Sequence, residues 1–356
     1  MLVRSVKAEP VRSLACYELE LAPGMTAVTG PNGAGKTNLL ESLYFALTGR
    51  SFRANDRREL IPHGGSLARA EATVVDDQGT EYEFLAAVTR AEGRRHLLGG
   101  EPVDPRTAGR YRPHIAVFAP DRLSLIKGAP AERRAHLDAF MAARRPSLGE
   151  LRRGYGQALA QRNAMLGRVA AGQAGPAELD AWDGAMAAAA APLIAARAEA
   201  TGSLAGEFTG LAAELGLPGR AELSYAPRAE GDAAEIAAGL AERRDADLRN
   251  GRGTWGPHLD EVRIELAGRS LRRYGSQGQQ RAALLALLFA EREELAAAHA
   301  ATPILLLDDV MSELDPPHRD LLGERLAAGG QSLITAADSG ALPSAAIGVQ
   351  VEMGGG

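Results

Sequence analysis

The stretch Gly30-Pro31-Asn32-Gly33-Ala34-Gly35-Lys36-Thr37 decides how this chain is read. It fits G-x-x-x-x-G-K-[ST], and its flanks fit too. Met25-Thr26-Ala27-Val28-Thr29 before it is a short β-prone run. After it, Leu39, Leu40, Leu43 and Leu47 recur at helical spacing between Asn38 and Leu47. Strand, glycine-rich turn and helix start together make an anion cradle. Backbone amides converge on phosphate oxygens, and the helix N-terminus adds positive potential. In such a loop Gly30, Pro31, Asn32, Gly33, Ala34, Gly35, Lys36 and Thr37 bind the nucleotide. Lys36 reaches the β and γ phosphates, and the Thr37 hydroxyl is a ligand for Mg²⁺.

Composition reads as that of a soluble globular protein. The 356 residues suffice for about two domains and a large core. Cys16 is the single cysteine, so neither an internal disulfide nor a multi-thiolate zinc site is available. No run of about 18 apolar residues occurs, and the N-terminus lacks a long apolar core; a cytoplasmic location is expected. The net charge is −5, so any nucleic-acid contact has to come from a local patch. Of 40 basic residues only Lys7, Lys36 and Lys127 are lysines, which makes each of them conspicuous.

Further along the chain the pattern alternates. Ala72–Val75 and Tyr82–Val88 read as strands around an Asp76–Gly79 turn, and Ile115–Phe118 as a buried strand. Ser147 and Glu150 have capping-box spacing ahead of a helix carrying Leu148, Leu151, Tyr155 and Leu159. Another series, from Leu179 to Leu215, is expected to break at the Ala187–Ala191 run and Pro192. A short β piece near Leu223 and a helix over Ala233–Leu248 follow. Glu261–Leu266 and Ser270–Arg273 read as a hairpin, and Gln279–Glu294 as a helix. Pro303–Leu307 and Gln331–Thr335 are continuous apolar strands of a sheet covered on both faces.

Two of these elements carry chemistry. Leu305-Leu306-Leu307-Asp308-Asp309 is a strand ending in two acids: Asp308 to hold Mg²⁺, Asp309 to orient the attacking water. Tyr274-Gly275-Ser276-Gln277-Gly278-Gln279-Gln280-Arg281 opens the long helix. Its simplest reading is a serine cap. Its second reading is an anion site in which Ser276, Gly278 and Gln279 clamp the γ-phosphate held by another subunit.

The order of these motifs, continued by Ser312-Glu313-Leu314-Asp315 and a switch strand ending at Thr335, resembles that of ABC-type ATPases. Over nearly its full length the chain resembles the bacterial RecF recombination mediator family. The resemblance rests on Gly30–Glu41, Phe118-Ala119-Pro120-Asp121, Ile126-Lys127-Gly128-Ala129-Pro130 with Arg133-Arg134, Gly256-Pro257-His258-Leu259-Asp260, Ser276–Arg281 and Leu307–Asp315. It departs at Leu259, where the family usually has arginine, and no lid glutamine is found, Asp121 being the nearest polar residue.

The resemblance implies an α/β fold: an ABC-type ATPase head, with a mixed sheet and an antiparallel β subdomain, built from residues 1–125 and 250–356. A mainly helical lobe, 126–249, is inserted into it. It implies ATP and Mg²⁺ as cofactors, Lys36 and Asp309 in catalysis, a D-loop with Ser312 and Asp315, and Thr335 as the switch. It implies an ATP-dependent homodimer that binds double-stranded and gapped DNA, works with a RecR-type mediator in repair and replication-fork maintenance, and hydrolyses ATP slowly under DNA stimulation. Arg50, Arg53, Arg57, Arg58, Arg133 and Arg134 are candidate DNA-phosphate contacts. A transport ATPase subunit would instead carry a lid glutamine and a switch histidine. A non-hydrolysing scaffold would have lost Lys36, Asp308 or Asp309.

Overall fold

The computed structural model describes residues 1–54, 56–91, 93–119, 123–299, 302–311, 316–342 and 347–354. From the N-terminus come β1 (Leu2–Ala8), β2 (Tyr17–Glu20), β3 (Met25–Thr29) and α1 (Lys36–Thr48). Next are β4 (Leu67–Val75), β5 (Glu81–Thr89), β6 (Gly93–Leu98), β7 (Glu101–Pro102), α2 (Pro105–Ala108) and β8 (Ile115–Phe118). The middle of the chain forms α3 (Ser124–Lys127), α4 (Pro130–Arg144), α5 (Leu148–Ala170), α6 (Leu179–Glu214), β9 (Ala221–Ala226), α7 (Ala233–Glu242) and α8 (Arg244–Asn250). Then follow β10 (Glu261–Leu266), β11 (Arg269–Ser270), α9 (Leu271–Tyr274) and α10 (Gln277–His299). The chain closes with β12 (Ile304–Leu307), α11 (Pro316–Ala327), β13 (Ser332–Ala336) and β14 (Ile347–Glu352).

Two compact units result. The first joins Met1–Arg122 to Leu295–Gly356; the second is Leu123–Glu294. The sequence reading returns the chain to the head at residue 250, but β10, β11 and most of α10 group with the helices. The cause is visible in the pairing: β10 runs antiparallel to β9 from Glu261↔Ala226 to Leu266↔Ala221.

In the first unit, β14-β3-β13-β12-β8 form a parallel sheet and β2-β1-β4-β5-β6-β7 an antiparallel one. Helix α1 belongs to a core that draws on both sheets. Its Leu39, Leu40, Leu43 and Leu47 share one apolar cluster with Val6, Ala70 and Phe84 of one sheet and Val117, Leu306 and Leu333 of the other. The amide of buried Gln331 ties the sheets polar-to-polar. Its Oε1 accepts from Val3 N at 2.8 Å, and its Nε2 donates to Val3 O at 2.6 Å and Ala22 O at 2.9 Å. Register aligns the carboxyl ends: Leu307 lies opposite Phe118 and Ile334, and Ala336 opposite Thr29. Ligands of open parallel sheets bind at those ends.

Four local expectations fail in the second unit. Helix α6 runs through Pro192 unbroken. The proline is exposed, so its ring and the carbonyl it frees meet solvent, while Ala187, Ala190, Leu193 and Ala196 continue the buried face. Burial of Leu179, Met186, Leu204 and Phe208 offsets the proline's cost of about 3 kcal/mol. Ser147 does not cap α5: its backbone is already helical, and Glu150 instead accepts from Arg153 at 2.9 Å. The helix expected over 233–248 splits at Arg243, where φ is −99° and ψ 2°. In addition, the strand expected to continue to Arg273 ends at Ser270, and 271–274 curls into α9.

Helices α5, α6 and α8 are joined by charge. Arg162, fully buried, donates from Nε to Asp183 at 2.6 Å and from Nη1 to Asp247 at 2.7 Å. Arg244 shares Asp183 at 2.7 Å, and Asp247 also accepts from Thr254 N at 2.7 Å. Replacing Arg162 with methionine leaves two desolvated carboxylates. The expected loss is about 3–5 kcal/mol, read as a lowered urea midpoint. Unchanged stability would mean that water or Arg244 already neutralises the pair.

Candidate functional site

The loop 30–35 follows β3 and opens α1. Two of its glycines are required by space as well as by conformation. A Cβ on Gly30 (φ 153°) would lie 2.4 Å from Met353 O, and one on Gly35 (φ 99°) 2.5 Å from Leu14 Cδ2. Gly35 caps α1 without a side chain, and the helix's first turn holds no acid. Its amides and its positive dipole end therefore stay available to an anion. Lys36 is 8% exposed. Its Nζ donates to the loop's own carbonyls, Gly30 O at 2.6 Å and Pro31 O at 3.0 Å.

Thr37, Asp308 and Thr335 come from three distant parts of the chain and meet. Thr37 Oγ1 donates to the Asp308 carboxylate at 2.9 Å, and Thr335 Oγ1 donates to its Oδ1 at 2.8 Å. Thr335 Oγ1 also accepts from the backbone N of Asp309 at 3.0 Å. The switch threonine thus fixes the carboxylate and the turn that follows it. That turn is tight: Asp309 has φ 49°, a left-handed conformation that aspartate tolerates better than most residues. Burial raises the pKa of Asp308, the two threonines lower it, and Asp309 raises it again. The donor set is one carboxylate and one hydroxyl. Such hard oxygens suit Mg²⁺, which takes its remaining ligands from water and substrate phosphates.

One group in this region escaped the sequence reading. Glu41 lies on α1 and is fully buried. Arg12 binds both of its oxygens, through Nε at 2.5 Å and Nη2 at 3.0 Å. Ser51 Oγ donates to Glu41 at 2.5 Å, and Arg53 Nη1 lies 3.6 Å from it. Arg53 also donates to Asn38 Oδ1 at 3.2 Å. The signal was present: a carboxylate among the leucines of a buried helix requires a cation, although which one is not written in the spacing.

The remaining candidates separate by burial. Arg50 and Arg58 are exposed and Arg57 is half-buried. Arg133 is 7% exposed and donates to Glu261 at 2.9 Å and to Gly128 O at 3.0 Å. Arg134 donates to Asp260 O at 2.6 Å. Arg133 is thereby corrected from a DNA contact to a structural tie between α4 and β10, and Arg134 serves the same join. Ser276 realises its simpler reading: its Oγ accepts from Gln279 N at 3.2 Å, while Gln279 Oε1 accepts from Ser276 N at 2.9 Å. Gly278 leaves the face of that turn open, as a Cβ there would meet only Ser276 Oγ, at 4.0 Å. Pro120, Asp121, Ser312, Glu313, Leu314 and Asp315 lie outside the described residues.

The Gly256-Pro257-His258 block is an internal bracket. His258 Nε2 donates to Gly253 O at 3.0 Å, so its Nδ1 accepts from Tyr155 Oη at 2.7 Å. Burial pushes the imidazole pKa down, in keeping with that neutral form. Asp260 accepts from Arg197 at 3.0 Å, from Arg228 N at 2.8 Å and from Tyr225, while Arg197 also grips Asp138. Leu259, in place of the usual arginine, stands 40% exposed at the tip.

The pKa of Asp308 gives a sign to test. A carboxyl raised above its unfolded value favours the native state only while protonated, so its ionised form costs the apo protein stability. Asp308→Asn is expected to raise the apo melting temperature at pH 7 by a few degrees. The gain should shrink as pH falls through the raised pKa, and Mg²⁺-dependent nucleotide binding should be lost. A variant less stable than wild type at pH 7 would show that the threonine bonds outweigh burial.

Comparison with known proteins places the chain. The model of the RecF/RecN/SMC N terminal domain matches residues 2–355. "DNA replication and repair protein RecF" of Anaeromyxobacter dehalogenans (strain 2CP-1 / ATCC BAA-258) is 38% identical over 355 residues, covering 95% of this chain and 93% of that protein. The protein of that name from Anaeromyxobacter sp. (strain Fw109-5) is 38% identical over 351 residues, with the same shares. A solved structure of the recombination mediator protein RecF with ATP, in the RecFOR pathway, superposes with a TM-score of 0.84 at 26% identity. It covers 95% of this chain and 92% of that one. An SMC head bound to the C-winged helix domain of ScpA shares the fold at a TM-score of 0.57 and 16% identity, covering 95% of this chain and 90% of that one. With the family model spanning the chain and relatives matching along their length, this protein belongs to the RecF family of ABC-type ATPases.

Proposed function

We propose that this chain is an ATP-dependent DNA-binding clamp of DNA replication and repair, an ATPase whose slow hydrolysis is stimulated by DNA. The observation that carries the reading is the Asp308 carboxylate, held between Thr37 and Thr335 at the mouth of a phosphate loop. A nucleotide with its Mg²⁺ would use a carboxylate and a hydroxyl placed there. Relatives named for DNA replication and repair, and a solved RecF–ATP structure, support the same ligand and process.

The residues divide the work. Lys36 exchanges the carbonyls of Gly30 and Pro31 for the β and γ phosphates and neutralises them. Thr37 and Asp308 hold the metal, which supplies charge neutralisation between phosphate oxygens. Asp309, on its constrained turn, accepts a proton from the water it orients. It is shorter than a glutamate, in keeping with slow turnover. ATP pairs two subunits head to tail, each nucleotide being completed by Ser276, Gly278 and Gln279 of the other subunit. Paired heads bind duplex and gapped DNA in the cytoplasm and cooperate with a RecR-type mediator in repair and fork maintenance. Ser312 and Asp315 serve the paired interface as its D-loop.

Two measurements test this. In sedimentation with ATP and Mg²⁺, Ser276→Arg should remain monomeric with unchanged nucleotide affinity. Lys36→Met should bind nucleotide at least ten-fold more weakly, and Asp309→Asn should pair normally but hydrolyse at least ten-fold more slowly. ATP-dependent pairing by Ser276→Arg as strong as that of wild type would reduce Ser276 to a helix cap.

DNA contact falls to the arginines after α1: Arg50 and Arg58, which are exposed, with Arg53 and Arg57. If about six phosphates are neutralised across a pair, affinity should fall with salt at a log–log slope near −5. Arg50→Glu with Arg58→Glu should weaken all sequences alike, since phosphate contacts carry no base information. A flat salt response would remove DNA from the reading.

A further inference from the structure

The second unit displays a group of cations that the function above leaves unused. Residues 266–290 hold four arginines and no acid, and residues 123–131 hold Lys127 and no acid, in a chain of net charge −5. The two segments meet, because Arg272 Nε donates to Lys127 O at 3.1 Å. The turn that presents Lys127 is tightly made. Gly128 N donates to Ser124 O at 2.6 Å, and a Cβ on Gly128 would lie 2.4 Å from that same carbonyl. Arg133 takes Gly128 O from the inside at 3.0 Å.

With the backbone carbonyls engaged inward, Lys127, Arg269, Arg272 and Arg273 are left exposed. Tyr274 stands among them at 67% exposure. Glu132, which follows the turn in α4, and Glu265, paired in register with Ser270, are acids nearby. Like charges near one another repel, and an exposed tyrosine adds nothing to a core, so the arrangement suits an anion with a ring to stack.

We propose that Lys127, Arg272, Arg273 and Tyr274 receive the ATP carried by a second copy of this chain, the cations meeting its polyphosphate and Tyr274 its base or ribose. The inference rests on the head-to-tail pairing proposed above. Tyr274 lies two residues before Ser276, so whatever approaches Ser276 approaches the cations as well. A face closed by a second subunit is not open to a DNA duplex, which favours nucleotide over DNA as the anion. The role also accounts for the Lys127-Gly128-Ala129-Pro130 segment: Gly128 makes the turn, Pro130 starts α4, and Lys127 is the group they display.

The test uses the full chain with ATP and Mg²⁺. Lys127→Glu combined with Arg273→Glu should weaken ATP-dependent dimerisation at least ten-fold in sedimentation. Binding of a fluorescent ATP analogue to the dilute, monomeric protein should stay within about two-fold, because that nucleotide sits in the subunit's own loop. Lys127→Met with Arg273→Met, which adds no charge, should shift dimerisation in the same direction; this guards against a misfolded reversal variant. Tyr274→Ala should weaken dimerisation less. An unchanged dimerisation constant in both double variants, with Ser276→Arg still abolishing pairing, overturns this inference and leaves the pairing intact. Absence of ATP-dependent pairing in wild type overturns both. Loss of DNA affinity at an unchanged dimerisation constant reassigns the cations to DNA and overturns the inference as well.

Discussion

The hydrogen bond from Thr335 to Asp308 is the constraint on which the first unit's chemistry depends. Thr335 sits near the end of β13 and Asp308 just past β12, strands that are neighbours in register. Because the strands are parallel, their carboxyl ends lie side by side, and a hydroxyl on one reaches the first residue beyond the other. Thr37 closes the triangle from the first turn of α1, whose position is fixed by leucines packed in the core shared by the two sheets. The catalytic geometry is therefore inherited from sheet register and helix packing. A slip of β13 by one residue would turn Thr335 to the opposite face and release both Asp308 and the amide of Asp309.

Burial, which these contacts only partly offset, makes the site expensive in the absence of ligand. A carboxylate nearly excluded from water, with two hydroxyl donors and a second acid beside it, is held in a form it does not favour. Lys36, the obvious counter-charge, is turned onto backbone carbonyls instead. In the proposed reading the ligand would resolve both problems together, with phosphates for the ammonium and a divalent cation for the carboxylate. Binding energy here comes in part from relieving an arrangement that folding alone would not choose.

Motifs local in sequence were legible. The loop 30–37, the strand ending in Asp308-Asp309, the helix opening at Ser276 and the apolar strands all appear where their spacing places them, because each depends on a handful of consecutive residues. What was not legible depends on partners far away. Arg133 and Arg134 read as a surface track, yet Glu261, more than a hundred residues later, holds Arg133 inside, and the Asp260 carbonyl engages half-buried Arg134. Arg162 gave no hint of Asp183 and Asp247, nor Glu41 of Arg12. In an arginine-rich chain the residue type no longer distinguishes a solvated cation from a buried brace; only the surrounding carboxylates do. Pro192 misled for the complementary reason: its cost is local, and the buried face that offsets it runs the length of α6.

The arginine bias also shapes which groups remain free to act. Guanidinium–carboxylate pairs suit buried joins, and the second unit uses them repeatedly: Arg197 grips Asp138 bidentately, and Arg162 bridges Asp183 and Asp247 with one bond to each. A lysine offers a compact, mobile charge and no fork, so it serves poorly in such braces. Lys36 and Lys127 stand where, among the described residues, no carboxylate faces them with a fork's geometry: one is nearly buried on the carbonyls of its own loop, the other exposed at a turn. Substitution toward arginine can proceed at positions where geometry rewards the fork or is indifferent. It is disfavoured where a compact point charge is held in a small space, as Lys36 is on the carbonyls of Gly30 and Pro31.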